Sequence, residues 1–594
     1  MKKTALSIAL SALLPVSAIA AETKPIDIVI TAKGQQSIAE VAPVSHVITS
    51  NAIEQSQASD LTELLDTVSG LSFSRNGGRG AQSGTFIRGA TSSQITVLVD
   101  GVRISSATSG STELGHIPLN IIDRIEVVKG PLSGLYGAGA IGGVIQIFTK
   151  KGGKPANNVE LQAGSFGHIK AIASLTTSNF RASVSREEND GIDATTVTTG
   201  GNDDEDGFEE TAINLGGSIV FDESTTLGIN AFFADNEIEF DNTFGADGGR
   251  FTDNEISTIS ATLDKSFGDN TKWSTTLGLS NNDSFTEAFA VFNSARFKTQ
   301  RFSLGSQGEF KLSQQGRTIV GLDYYKEEVD TDANFAETDR NNTGIFTQYQ
   351  NQFGQLGIVT NLRFDDNSAY GNNTNGSIAL NYALNDTTRL TASYGTAFRA
   401  PTFNALYFPF SGNPNVQPEE SKTIELTLRG GINTKTQWRI SAYDTEIEDL
   451  IEFPAPNFLA TNTSEASLQG IELEIGTYLN QWYLSSSLDL LDATDEATSN
   501  QLIRRPETTL KVSARREFGK FSFGTHLLAE KGRFDLGNVE LDSFERVDFT
   551  GAYRFSDSFT LNSRIGNAFD KDYQLASGFN TEGRSIIVSG KLQF

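Results

Sequence analysis

Residues Trp482–Leu490 read WYLSSSLDL. In an extended chain successive side chains point to opposite sides. Trp482, Leu484, Leu488 and Leu490 then share one face, and Tyr483, Ser485, Ser487 and Asp489 take the other. One face suits hydrocarbon and the other suits water. Thr226–Phe233, TLGINAFF, repeats the pattern: Leu227, Ile229, Ala231 and Phe233 oppose Gly228, Asn230 and Phe232. Val159–Phe166, VELQAGSF, alternates in the same way. Such segments recur from about residue 158 to the C-terminus. Turn clusters such as Asn281–Asp283 and polar stretches such as DATTVTTGGNDDEDGFEE (193–210) separate them.

Amphipathic segments of about ten residues, repeated without a domain linker, are the signature of an outer-membrane barrel. A soluble array of β-sandwiches would need linkers, and none is visible after residue 158. No run after the N-terminus reaches the 18 apolar residues of a spanning helix. At roughly 20 residues per strand and connection, residues 159–594 give roughly 22 strands. A lumen that wide leaks unless filled, and barrels of this width are known with a plug. The expected fold is an all-β membrane protein, a 22-stranded antiparallel transmembrane barrel (154–594) around an N-terminal plug (34–153). The last strand, RSIIVSGKLQF, places Ile586, Val588, Leu592 and the terminal Phe594 on one face. It resembles the terminal signal read by outer-membrane assembly machinery.

The chain opens MKKTALSIALSALLPVSAIA, with Lys2 and Lys3, an apolar stretch and a small-x-small ending. Residues 1–20 read as a cleaved signal peptide. The chain has no Cys, which excludes disulfides and thiolate sites. A net charge of -26 argues against a nucleic-acid binder. The four His are scattered, at 46, 116, 168 and 526, without zinc-site spacing, and there is no G-x-S-x-G. The chain reads as a non-enzyme.

Gly137–Gly142 is a literal G-x-G-x-x-G. A dinucleotide site needs a helix after it and an acid about 20 residues on. Here a β-type run, Val144–Thr149, follows. Tight turns in a packed plug are the expected use of these glycines. Asn202–Gly207, NDDEDG, starts like an EF-hand loop, but its twelfth position would be Ile213 instead of Glu.

Gly84–Ile104, GTFIRGATSSQITVLVDGVRI, and Ile117–Lys151, IPLNIIDRIEVVKGPLSGLYGAGAIGGVIQIFTKK, resemble the plug domain of TonB-dependent outer-membrane receptors. In that family a short segment before the plug couples to TonB, the inner-membrane energy transducer. The resemblance puts this TonB box at Ile26, Asp27, Ile28, Val29, Ile30, Thr31, Ala32 and Lys33. An exposed strand there can add to another protein's sheet edge.

Tyr394–Leu426 and the end of the chain, NAFDKDYQLASGFNTEGRSIIVSGKLQF, resemble the cobalamin (vitamin B12) transporters within that family. The resemblance implies a calcium site of Asp193, Asn202, Asp204, Asp206, the Phe240 carbonyl, Asp241 and Asp253. Asn202 stands where the family has Gln, and Asp247 competes with Asp253 for its role. It also implies cobalamin contacts at Gln82, Gly84, Thr91, Thr108 and Ser109 in the plug. Asn242, Ser294, Arg504 and Asn538 would supply the barrel's contacts. The expected function is TonB-dependent uptake of cobalamin across the bacterial outer membrane, with calcium ordering the extracellular loops. The expected state is a monomer among outer-membrane lipid and lipopolysaccharide. The alternatives are a receptor for an iron-siderophore, a passive porin, and an adhesin or phage receptor.

Overall fold

The computed structural model describes residues 28–29, 33, 36–37, 44–196, 204–241, 250–287, 295–432, 434–453 and 458–594. The proposed signal peptide lies outside them. Among the described residues 22 antiparallel strands form a closed barrel. The first, Ala156–Gly164, pairs with the last, Ser585–Gln593, with Leu161 opposite Gly590. Closure leaves no backbone edge to face lipid, where an unpaired N–H or C=O is costly.

The alternation in the sequence becomes the two surfaces of the wall. Leu161 and Ile259 are 61% and 54% exposed on the outside, whereas Thr258 and Ser260 are buried toward the lumen. Ile586, Val588, Leu592 and Phe594 share the outer face, as expected. Ring contacts link Trp482 to Phe523, Phe521 to Tyr553 and Tyr553 to Phe555 on that face. Aromatic girdles of this kind mark the membrane interface. The turns at this end are short: Glu223–Ser224, Gly354–Gln355 and Asn480–Gln481 each join two strands. Long connections such as 400–418 and 567–584 stand at the other. Short turns mark the periplasmic end and long loops the extracellular end.

The plug sits inside the lumen. Its five-stranded sheet runs in the order Ser45–Thr49, Ile122–Lys129, Gly143–Thr149, Ile95–Val99, Val102–Arg103. Ile95–Val99, ITVLV, is buried throughout and pairs in parallel with Gly143–Thr149, the near-continuous apolar pattern of a strand covered on both faces. Leu61, Leu65, Ile125 and Ile145 form its core, and Phe232, Ala234 and Ile256 of the barrel wall pack into it. The G-x-G-x-x-G stretch is turn and strand entry. Gly137 and Gly139 have φ of 71° and 88°, and a Cβ on the adjoining Gly143 would lie 2.3 Å from the Val128 carbonyl oxygen.

Buried ion pairs fasten plug to wall. Arg88 donates to Glu472 (3.0 and 2.9 Å) and to Glu425 (3.0 Å). Lys129, with no exposed surface, donates to Glu472 at 2.8 Å and to the Ser69 carbonyl at 3.0 Å.

Candidate functional site

At the extracellular end, the register places Ile192 opposite Asp206 across the Phe180–Ile192 and Asp206–Asp222 strands. Asp193 and Asp206 therefore meet at the root of one loop. Asp241 comes from the next hairpin. One carboxylate oxygen from each of the three lies within 4.8 Å of the others. Asp206 accepts from the Ala194 N–H at 2.8 Å, and Asp241 accepts from the Thr195 hydroxyl at 3.3 Å. Burial, with the nearby Asp241, Asp204 and Asp193 charges, pushes Asp206 up to about 7. Three converging carboxylates are an all-oxygen donor set that fits a hard divalent cation such as calcium.

The loop carrying the cluster is zipped to the last extracellular loop. Asn580 donates to the carbonyls of Asp193 (3.0 Å) and Thr195 (2.6 Å), and its own N–H donates to the Ala194 carbonyl at 2.9 Å. Nothing local in the sequence marks Asn580.

The other expected calcium ligands are placed differently. Asp204 is exposed, outside the group of three but close enough to act on Asp206. Phe240 precedes Asp241 and donates its N–H to the Arg250 carbonyl at 3.2 Å. Asp253 stands directly opposite Glu237, on the outer face that it shares with Ile259. Its parity turns it away from Asp193, Asp206 and Asp241. Asn202, like Asn242 and Ser294 of the cobalamin set, lies outside the described residues.

The described cobalamin candidates sit at the plug apex and the loops above it. Gln82 and Ser109 are exposed. A Cβ on Gly84 would lie 2.5 Å from the Ser74 hydroxyl, so the strand pair Leu71–Arg75 and Ser83–Ile87 needs glycine there. Thr91 caps the short helical turn Ser92–Gln94 in a capping box. Thr108 is buried, its hydroxyl 2.7 Å from that of Ser106. The helix Phe403–Tyr407 of an extracellular loop sits over it, Phe403 and Asn404 donating to the carbonyls of Ala107 and Thr108 (3.1 and 3.2 Å). Arg504 bridges barrel to plug, donating to Asp535 at 3.0 Å and to Asn76 at 3.2 Å. Asn538 is exposed at the tip of the hairpin Arg533–Asp535 and Val539–Leu541, with φ of 60°.

Of the TonB-box residues, Ile28, Val29 and Lys33 are described; Ile26, Asp27, Ile30, Thr31 and Ala32 are not. Ile28 and Val29 pair antiparallel with Ser37 and Gln36. Lys33 has φ of 65° and lies inside the lumen. Its ammonium stands 3.7 Å from Asp323 and 4.5 Å from the Tyr136 ring centroid, and its carbonyl accepts from Gln307 at 2.7 Å.

Two family models match the chain: a TonB dependent receptor-like β-barrel over residues 179–568 and a TonB-dependent receptor plug domain over residues 37–144. The vitamin B12 transporter BtuB of Photobacterium profundum is 31% identical over 615 residues, covering 100% of both chains. That of Vibrio cholerae serotype O1 (strain M66-2) is 31% identical over 622 residues, again with 100% of both covered. The solved siderophore receptor PiuA from Acinetobacter baumannii superposes with a TM-score of 0.78 at 16% identity, covering 94% of this chain and 98% of its own. With its plugged barrel and its end-to-end likeness to these relatives, the chain belongs to the TonB-dependent receptors, transporters of the outer membrane.

Proposed function

We propose that this receptor takes cobalamin from outside the cell and delivers it to the periplasm, with calcium ordering the extracellular loops. The observation that carries the reading furthest is the convergence of Asp193, Asp206 and Asp241 at the loop end of a chain similar throughout its length to vitamin B12 transporters. A bound calcium would supply the positive charge that three neighbouring carboxylates lack and would tie together the loops that carry them. Asp193, Asp206 and Asp241 would hold it, with Asn202, Asp204 and the Phe240 carbonyl next to them in the chain. Asp253 faces the other way and would have no part in it.

Cobalamin is large, amide-rich and nearly neutral, so its site should spread hydrogen bonds and apolar contacts over several elements. Gln82, Thr91 and Ser109 on the plug, and Arg504 and Asn538 above them, would meet it from two sides. Arg504 is held in place by Asp535 and Asn76. Residues 1–20 would direct export and be removed. The Ile26–Lys33 segment would add to a sheet edge of TonB by strand pairing. Ile28 and Val29 spend that pairing capacity on Ser37 and Gln36, so coupling would begin by exchanging one partner for the other.

Equilibrium binding of cyanocobalamin to the detergent-purified protein, with calcium and then with a chelator, tests the reading. Tight binding that weakens on chelation supports both parts. Tight binding indifferent to calcium keeps the cargo and removes the cation. No binding in either condition overturns cobalamin and leaves an iron-siderophore as the cargo to test next.

A further inference from the structure

A cavity of about 1730 Å³ separates the plug from one side of the barrel. It reaches from Arg103 and Arg301 down to the short turns around Gly268, Gly316 and Gly354, so it opens at the periplasmic end. Small-molecule pockets run to about 300–1,000 Å³, so this space takes a larger guest. Neutral hydrogen-bonding side chains dominate its barrel wall, among them Thr226, Asn230, Ser274, Ser303, Gln307 and Asn381. Several charged groups that reach it are committed to each other: Lys272 to Asp264 (3.5 Å), Arg317 to Glu309 (3.2 Å) and Arg363 to Asp323 (2.7 Å).

One stretch of plug, Val102–Ser109, closes the cavity toward the extracellular end. A Cβ on Gly278 of the wall would lie 2.5 Å from Val102. The Arg103 carbonyl accepts from the Ser280 hydroxyl (2.8 Å) and from Arg301 (3.0 Å). Arg301 also donates to the Ser105 carbonyl (3.2 Å), and the Ala107 N–H donates to Thr299 (2.9 Å). The far end of the same stretch is Thr108 and Ser109, the proposed cargo contacts. Lys33, last residue of the coupling segment, sits in the cavity against Asp323.

We infer that this cavity is a second, exit-side binding site for the transported molecule, suited to a large, uncharged cargo rich in amide and hydroxyl groups, with Val102–Ser109 as its door. The inference rests on the transport reading above. Cargo leaves the apex when the door comes away from strands Thr271–Thr286 and Ala295–Lys311, and it then slides along a wall whose donors and acceptors are mostly neutral and several of whose charges are paired with each other. Withdrawal of the coupling segment draws Lys33 out of the same space.

The chain has no Cys, so one introduced thiol is unique. S274C and S303C place it on the cavity wall. S522C places it on a lumen-facing position of the strand Phe521–Lys531, outside the cavity. Cells carrying each variant are treated with a bulky maleimide, modification is verified by mass, and cyanocobalamin uptake and surface binding are read before and after. The expected result is a tenfold or greater loss of uptake on modification at 274 and 303, with surface affinity unchanged and uptake by S522C retained. Undiminished uptake after verified modification at 274 and 303 overturns the inference, as does an equal loss at 522. A loss of surface affinity on modification at 274 or 303 overturns it too, because the thiol then acts on the apex. If the unsubstituted receptor binds and imports no cyanocobalamin, the cargo reading itself falls and the inference falls with it.

Discussion

At Asp206 burial and charge act in the same direction. Both disfavour the carboxylate, and together they lift it from 3.8 to about 7. Between those values the folded protein holds a proton that the unfolded chain has released. Without a cation, stability contributed at this site therefore falls as pH rises from about 4 to about 7 and stays low above it. Calcium needs the deprotonated form, so its affinity should weaken about tenfold per pH unit below 7. Calorimetric titration with calcium at pH 5.5, 6.5 and 7.5 checks this; a flat profile would remove Asp206 from the site. D206N should lower calcium affinity about tenfold or more, because affinity follows the charge of the donor set. D253N, on the outer face, should leave it within about twofold. Arg88 illustrates a structural charge. R88A leaves Glu472 and Glu425 buried without one of their cations, and such truncations cost about 3–5 kcal/mol. Chemical denaturation of the plug transition should register that loss.

The decisive element is the ribbon of Ile28–Val29 with Gln36–Ser37. A two-residue pairing is weak by the standards of sheets, which suits a segment that has to change partners. V29P removes a backbone N–H and fixes φ. Uptake should fall to background in V29P cells while surface binding of cyanocobalamin stays normal; loss of binding as well would deny the segment its coupling role. The short helix Phe403–Tyr407 is a second telling element. Thr402 caps it by accepting from the Ala405 N–H at 3.1 Å. T402A should loosen the loop over Ala107 and Thr108 by about 1 kcal/mol. Faster dissociation of bound cargo is the expected consequence.

On the scale of the molecule, the plug is a stopper held by its rim. Its core is shared with Phe232, Ala234 and Ile256 of the wall, and its buried Arg88 and Lys129 are neutralised by Glu425 and Glu472 of the barrel, far away in sequence. Deleting residues 34–153 should leave a barrel that inserts and conducts. Planar-bilayer recordings should show a large, steady conductance where the whole chain shows little. A closed deletion variant would mean that the extracellular loops, and not the plug, seal the lumen.

Period-two alternation is a local property of a strand, so the sequence by itself determined the barrel, its lipid-facing residues and the approximate number of strands. The length before residue 158 and the glycine-dense motifs there likewise announced a filler. Part of the site was legible in the same way. Asp193 and Asp206 flank one hairpin loop, and strand register alone brings them together. The outward parity of Asp253 is present too, in its even spacing from Ile259 and Leu263. The contacts that join distant segments needed the tertiary structure. Asn580 holds the Asp193 loop from 387 residues away, Arg504 reaches Asn76 across 428, and Lys33 lodges against Asp323 inside the lumen. Such pairings follow from how a closed wall curves around its plug, and no short stretch of sequence encodes that curvature.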